Sequence, residues 1–207
     1  MYTPAAFKLD DVPRLHALIR KYPFAPLLTA HQGDIAVTHL PFMVDPARGR
    51  YGTLIAHMAR ANSHWKLFDG QQEALAVFTG PNAYISPSWY ESPVTVPTWN
   101  YAVVHATGRP AIVSDKQRVR AILEQLVAIH EAYVHPPWRT EQAGDYINDQ
   151  IQYIVAFEIP IERLEGKFKF NQNRSRKDQE GVVQALAGAT NPLQRAVAEL
   201  MAENLRG

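Results

Sequence analysis

Two groups of side chains in this sequence have the types and spacing for ligand chemistry. The first is aromatic: Tyr84-Ile85-Ser86-Pro87-Ser88-Trp89-Tyr90, then Val96-Pro97-Thr98-Trp99-Asn100-Tyr101. A core strand wants alternating apolar residues without proline, because proline removes a ladder donor. A wall for a flat ligand wants aromatic faces on stiff backbone, and a packed loop or a dimer seam would use the same residues. The second group is His57-Met58-Ala59-Arg60-Ala61-Asn62-Ser63-His64-Trp65, where a strand gives way to a short helix. Backbone amides point outward unpaired at such a junction and an arginine adds a forked donor, which suits a phosphate. Arg60 supplies the charge, with His57 and Asn62 as hydrogen-bonding partners. An arginine that only flanks a helix cap in solvent would need no ligand.

A third cluster is cationic: Arg163, Lys167, Lys169, Arg174, Arg176 and Lys177. Phe168 and Phe170 alternate with the lysines, so an extended backbone puts Lys167 and Lys169 on one face. That face could grip a phosphate or a nucleic-acid backbone, or be a solvated surface. The histidines are scattered, without HExxH or similar spacing, and Gly-rich phosphate loops are absent. No metal site and no catalytic residue is therefore nominated.

The elements that must position these groups follow from pattern. Asp10 and Asp11 cap a helix with Pro13 in its first turn and Leu15, Leu18 and Ile19 on one side, ending near Lys21 before Pro23. Phe24 to Ala30 and Ile35 to Val44 read as strands joined by Gln32-Gly33-Asp34. Further strands are expected at Gly52 to His57, Ala74 to Phe78, Asn100 to Ala106, Ala111 to Val113 and Tyr153 to Ile159. Helical stretches are expected at Asn62 to Phe68, after Asp115 with the stripe Val119, Ile122, Leu123, Leu126, Val127 and Ile129, at Ala143 to Gln150, and twice between Ser175 and Arg206. Strands first, a helix interrupting and a strand returning predict an α+β fold, an antiparallel β-barrel with peripheral helices. The division expected is a barrel domain over 1–174 and a helical appendage over 175–207.

The 207 residues suffice for one self-supporting core, and 21 basic against 20 acidic residues leave no global drive toward nucleic acid or membrane. The chain has no cysteine, which excludes disulfides, thiolate metal sites and a cysteine nucleophile. No apolar run reaches the ~20 residues of a membrane span and no signal-peptide layout opens the sequence. A cytoplasmic protein is expected.

Several motifs in order resemble the PaiB family of flavin-binding negative transcriptional regulators. They are Met1-Tyr2-Thr3-Pro4, Thr38-His39-Leu40-Pro41, His57 through Asn62 with Trp65, Gly80-Pro81 with Tyr84 to Tyr90, Val96 to Tyr101, Gly166-Lys167-Phe168-Lys169 and Gln172-Asn173-Arg174. The resemblance implies a split β-barrel of the FMN-binding kind, FMN as cofactor, and a homodimer with its sites at the subunit interface. It also implies a regulatory label, repression of sporulation and protease genes, that belongs to the family's namesake. Carried over residue by residue, Thr38 and His39 would line the isoalloxazine edge and His57, Arg60 and Asn62 would hold the ribityl phosphate. Trp99 and Asn100, from the partner subunit, would close the pocket, and Lys167, Lys169 and Gln172 would complete it. Three functions fit this frame. One is a flavoprotein passing electrons or hydride from a nicotinamide donor to a small molecule. Another is a DNA-binding regulator using the Arg163 to Lys177 stretch. The third is a haem-binding split-barrel protein.

Overall fold

The computed structural model describes residues 1–206. In chain order its elements are β1 (Lys8–Leu9), α1 (Val12–Lys21), β2 (Phe24–His31), β3 (Asp34–Pro41), β4 (Met43–Asp45), β5 (Thr53–Ala59), β6 (Ala74–Ile85), β7 (Thr98–Gly108), β8 (Ala111–Ile112), α2 (Lys116–Glu131), α3 (Tyr146–Ile151), β9 (Ile154–Lys169), α4 (Arg176–Ala187) and α5 (Pro192–Arg206). The nine strands form one sheet in the order β3-β2-β6-β7-β9-β5-β4, with β1 and β8 also paired to β9. The expected α+β architecture is present. Among the described residues no helix is long and apolar enough to cross a membrane.

The ends of that order are β3 and β4, yet Phe42 alone separates them in the chain. A sheet whose two edges are consecutive in sequence has to curl, and here the edges meet through a corner residue in place of a ladder, giving a split barrel. Phe42 turns the corner by donating its N–H to the Pro23 carbonyl at 2.9 Å. Its ring packs edge-on to Phe78 at 5.5 Å. The single strand expected over Ile35 to Val44 is therefore two, because ladder partners on opposite edges claim its halves.

The described residues divide into two compact units, Ile19–Phe78 with Ala106–Leu164, and Met1–Leu18 with Thr79–His105 and the described residues from Glu165 on. In the first, alternation sorts β5 and β9 into two buried faces. Leu54, Ala56 and Met58 pair in register with Ile159, Phe157 and Val155 and fill the barrel interior. Ile55 faces outward into a second core with Met43, Ala156 and, from α2, Val119, Ile122 and Leu126. α2 begins where expected, Asp115 accepting the Gln117 N–H at 3.0 Å. Of its stripe Val119, Ile122 and Leu126 are buried, Leu123 and Val127 are half-buried, and Ile129 is half exposed. The helix expected over Ala143 to Gln150 is a 3-10 turn at Thr140–Ala143 followed by α3, and Gly144, at φ 53°, separates them.

In the second unit the ends of β6, β7 and β9 carry α4 and α5 on one face, burying Val182, Leu186, Val197 and Met201 with Phe168 and Phe170. The buried Asp178 carboxylate, in the first turn of α4, accepts the Glu91 and Ser92 N–H groups at 3.0 and 3.1 Å and the Ser92 hydroxyl at 2.7 Å. Gly181, one turn on, lets the helix approach so closely that a Cβ there would lie 2.2 Å from the Trp89 carbonyl oxygen. β6 runs on to Ile85, β7 opens at Thr98 and β9 reaches Lys169. The aromatic block thus ends one strand and begins another, and the loop between them is pinned by α4.

Candidate functional site

The candidate residues of the first unit centre on a buried histidine. Asn62 caps the 3-10 turn Ser63–Leu67, its side-chain oxygen accepting the His64 N–H at 3.0 Å. That turn carries the His64 ring inward, 4% exposed, between Thr38 Oγ1 at 2.8 Å from Nδ1 and Thr29 Oγ1 at 2.9 Å from Nε2. Asn62 Nδ2 donates to the same Thr38 oxygen at 3.0 Å. Burial lowers the His64 pKa, so the imidazole is neutral, with one donor and one acceptor nitrogen. Thr38 accepts from Asn62, and either neutral tautomer pairs both ring nitrogens with the two threonine hydroxyls. The network holds β2, β3 and the strand-to-helix junction in fixed relation.

Beside it opens a cleft of ≈ 430 Å³ lined by Ala36, Val37, Thr38, Asn62, Ser63, His64, Lys66 and Leu67. Its polar groups are the Thr38 and Ser63 hydroxyls, the Asn62 amide, the His64 imidazole and the Lys66 ammonium, and no carboxylate lines it. Lys66 forms no ion pair among the described residues. That donor set fits the phosphate end of FMN. Of the residues expected at the phosphate only Asn62 lines this cleft, and it is joined there by Thr38, which was expected along the isoalloxazine edge. His39, one residue along β3, points to the other face and is exposed, stacked on Phe24 with centroids 6.2 Å apart.

His57 and Arg60 lie elsewhere. His57 pairs in register with Ala156 and, two residues from Ile55, shares the face that α2 covers. Its Nδ1 is buried without a partner, and burial lowers its pKa. Arg60 donates from Nε to the Gln152 carbonyl and from Nη2 to the Ile154 carbonyl, both at 2.7 Å. Its own carbonyl accepts the Trp65 indole N–H at 2.9 Å. The guanidinium fastens the end of β5 to the start of β9.

The other candidates belong to the second unit, on the sheet face opposite the helices. Trp99, 55% exposed, meets Tyr84 edge-on with centroids 6.2 Å apart. Lys167 Nζ lies 5.4 Å from the ring centroids of both Tyr2 and Tyr101. Lys169 donates to Thr98 Oγ1 and to the Trp99 carbonyl. Burial lowers its pKa, with Lys167 nearby adding in the same direction and Tyr101 opposing. Alternation sends Asn100 the other way. It is fully buried, with Nδ2 on Met201 Sδ at 3.3 Å and Oδ1 without a partner. Gln172 binds the end of β9, accepting the Phe170 N–H at 2.7 Å and donating to the Phe168 carbonyl at 2.5 Å.

The cationic stretch is engaged with its own chain. Arg163 lies 3.6 Å from Glu73, Arg176 pairs with Glu180 at 2.8 Å, and Lys177 pairs with Glu91 at 3.3 Å. Arg174 stacks over Tyr90 at 4.9 Å. His64, Ser63, Lys66 and Thr29 were not singled out as site residues from sequence. The motif contains His64, Ser63 and Asn62, but only the fold brings Thr29 and Thr38 to the imidazole, and Lys66 reads as an ordinary surface lysine.

Comparison with known proteins agrees with this architecture. Residues 1–163 match the family described as "Putative FMN-binding domain". Over 206 residues the chain is 30% identical to the protease synthase and sporulation protein PAI 2 of Bacillus subtilis (strain 168), covering 100% of this chain and 99% of that one. Among solved structures, the flavocytochrome Anf3 from Azotobacter vinelandii superposes with a TM-score of 0.62 at 15% identity, over 84% of this chain and 75% of that one. The FAD and heme binding protein from Mycobacterium smegmatis gives a TM-score of 0.62 at 13% identity, over 88% and 80%. At those identities the two structures establish a shared fold, and the family match and PAI 2 establish kinship: the chain belongs to the PaiB-type family of FMN-binding split-barrel proteins.

Proposed function

We propose that this protein is a dimeric flavoprotein that holds the FMN phosphate in the cleft at the β5-to-turn junction. The observation that carries the reading is the neutral, fully bonded His64, which orients Thr38 and Asn62 at a cleft whose charged lining residue is Lys66. Ser63 and Lys66 would bind the phosphate, Asn62 would hold the turn that presents them, and the backbone of β3 near Thr38 would meet the ring system. When bound, FMN supplies hydride and single-electron chemistry, and the protein supplies position and electrostatics. The exposed aromatic face bearing Tyr84, Trp99 and Tyr101 supports a subunit seam at which a partner's Trp99 closes the flavin pocket.

A charge-assisted bond to phosphate contributes about 1.5 to 3 kcal/mol, or roughly ten- to hundredfold in affinity. Lys66→Gln is expected to weaken FMN binding tenfold or more, read by flavin fluorescence titration after the released cofactor has been identified by mass. Equal affinity in wild type and variant would remove the phosphate from this cleft. Light scattering on the same samples reads the dimer.

A regulatory role is the second reading, and the full-length likeness to PAI 2 favours it. Its DNA contacts would not come from Arg163 to Lys177, whose cations are paired or stacked within the chain. Regulation would instead act through the flavin or the dimer, and DNA binding that changes with flavin occupancy would support it.

A further inference from the structure

A larger groove, ≈ 750 Å³, lies between the start of α2 and the start of β9 and is lined differently from the phosphate cleft. Its floor is apolar, with Val113, Val119, Ile151, Ile154 and Ala156, and the uncharged polar Ser114, Gln117, Asn148 and Gln152 share the lining. The Trp65 indole, tied by its N–H to the Arg60 carbonyl, forms a flat wall. Arg60, Lys116 and Arg120 also line it, and no carboxylate does. Arg120 is balanced by Glu124 at 2.8 Å. Arg60 is held by two carbonyls, which fix its position without cancelling its charge. Lys116 forms no ion pair among the described residues. Two uncompensated positive charges therefore border an apolar trough of the size that small-molecule sites have.

We propose that this groove is a second binding site, separate from the flavin phosphate cleft, for an apolar molecule carrying a single carboxylate. The apolar floor has no hydrogen bonds to offer a highly hydrated ion such as free phosphate, whereas a ring or short chain displaces water from it. A carboxylate at the rim then meets the fixed Arg60 guanidinium, a planar acceptor against a planar fork, and the exposed Lys116 ammonium. The inference goes beyond the flavin reading, since the groove takes no residue from that cleft.

The probe is 2-naphthoate, with its uncharged isostere 2-naphthamide and inorganic phosphate as comparisons. Binding is read on the full chain from nuclear magnetic resonance shifts of the Trp65 indole N–H and the Gln117 amide. Saturable shifts with naphthoate are expected, with at least tenfold weaker binding for naphthamide, no matching shifts with phosphate, and roughly tenfold weakening of naphthoate in Lys116→Gln. Saturating FMN is expected to leave the naphthoate shifts in place. The proposal is overturned if naphthoate does not bind there, if naphthamide binds equally, if phosphate alone reproduces the shifts, or if Lys116→Gln has no effect. It is overturned as well if FMN displaces naphthoate one for one. Loss of FMN binding in Lys66→Gln with unchanged naphthoate binding keeps the two sites distinguishable.

Discussion

Replacing Glu158 with glutamine tests how α2 is held on the barrel, and with it the wall of the groove. The Glu158 carboxylate, on β9, is 14% exposed. Arg48 grips it through both oxygens, Nη1 to Oε1 at 2.9 Å and Nη2 to Oε2 at 2.5 Å. Arg118 of α2 donates twice to Oε1, at 3.1 and 2.8 Å. The Arg48 hydrogen bonds are the main cause of a carboxyl pKa pushed down from 4.5 to about 2, burial opposing them and Arg118 adding to them. At ~1.4 kcal/mol per unit that depression corresponds to about 3 kcal/mol. Arg48 is 44% and Arg118 34% exposed, so solvent screening reduces the contribution to about 1–2 kcal/mol. Because the folded-state pKa is depressed, the stabilisation is fully present above the unfolded value near 4.5 and is lost as pH falls toward 2. Urea unfolding of wild type and Glu158→Gln from pH 7 to pH 2 should therefore show a gap of about 1–2 kcal/mol at neutral pH that closes over roughly pH 5 to 2. Parallel stability curves across that range would refute the clamp.

Two further substitutions test how α4 pins the aromatic loop. Asp178→Ala removes the acceptor of the Glu91 and Ser92 N–H groups, and limited proteolysis should then cut faster between residues 91 and 97. The Ser92 hydroxyl is the first cause holding the Asp178 carboxyl below its ordinary range, so in wild type the same cleavage should accelerate as pH falls below the usual aspartate value; a pH-independent cut rate would count against the tether. Gly181→Ala gains about 1 kcal/mol of helix propensity, but its Cβ would sit 2.2 Å from the Trp89 carbonyl oxygen. Forcing α4 away from the turn costs about 1–3 kcal/mol and should lower the melting temperature; a variant more stable than wild type would mean the helix does not pack that closely.

Much of this protein was legible in its residues. Local signals decide where α1 and α2 begin, with Asp11 and Asp115 as caps, and where the Gln32-Gly33 hairpin turns. The strand alternation specifies an antiparallel α+β fold, because period-two burial and turn chemistry are properties of neighbouring residues, and the family resemblance of the ordered motifs implied the FMN-binding kind. What lay beyond local reach was decided by partners distant in sequence. Phe42 breaks a continuous strand because its flanks pair on opposite edges of the sheet, and β9 runs ten residues past Ile159, to Lys169, because β1 and the barrel supply ladders for it. The site shows the same division. Asn62 and Thr38 line one cleft, but alternation along β5 and β7 turned His57 and Asn100 into buried faces, and two carbonyls of the 152–154 segment claimed Arg60. Residue type and spacing thus determined the chemistry available to this chain, while side-chain direction, which depends on the register between strands far apart in sequence, decided which of those residues share a cleft.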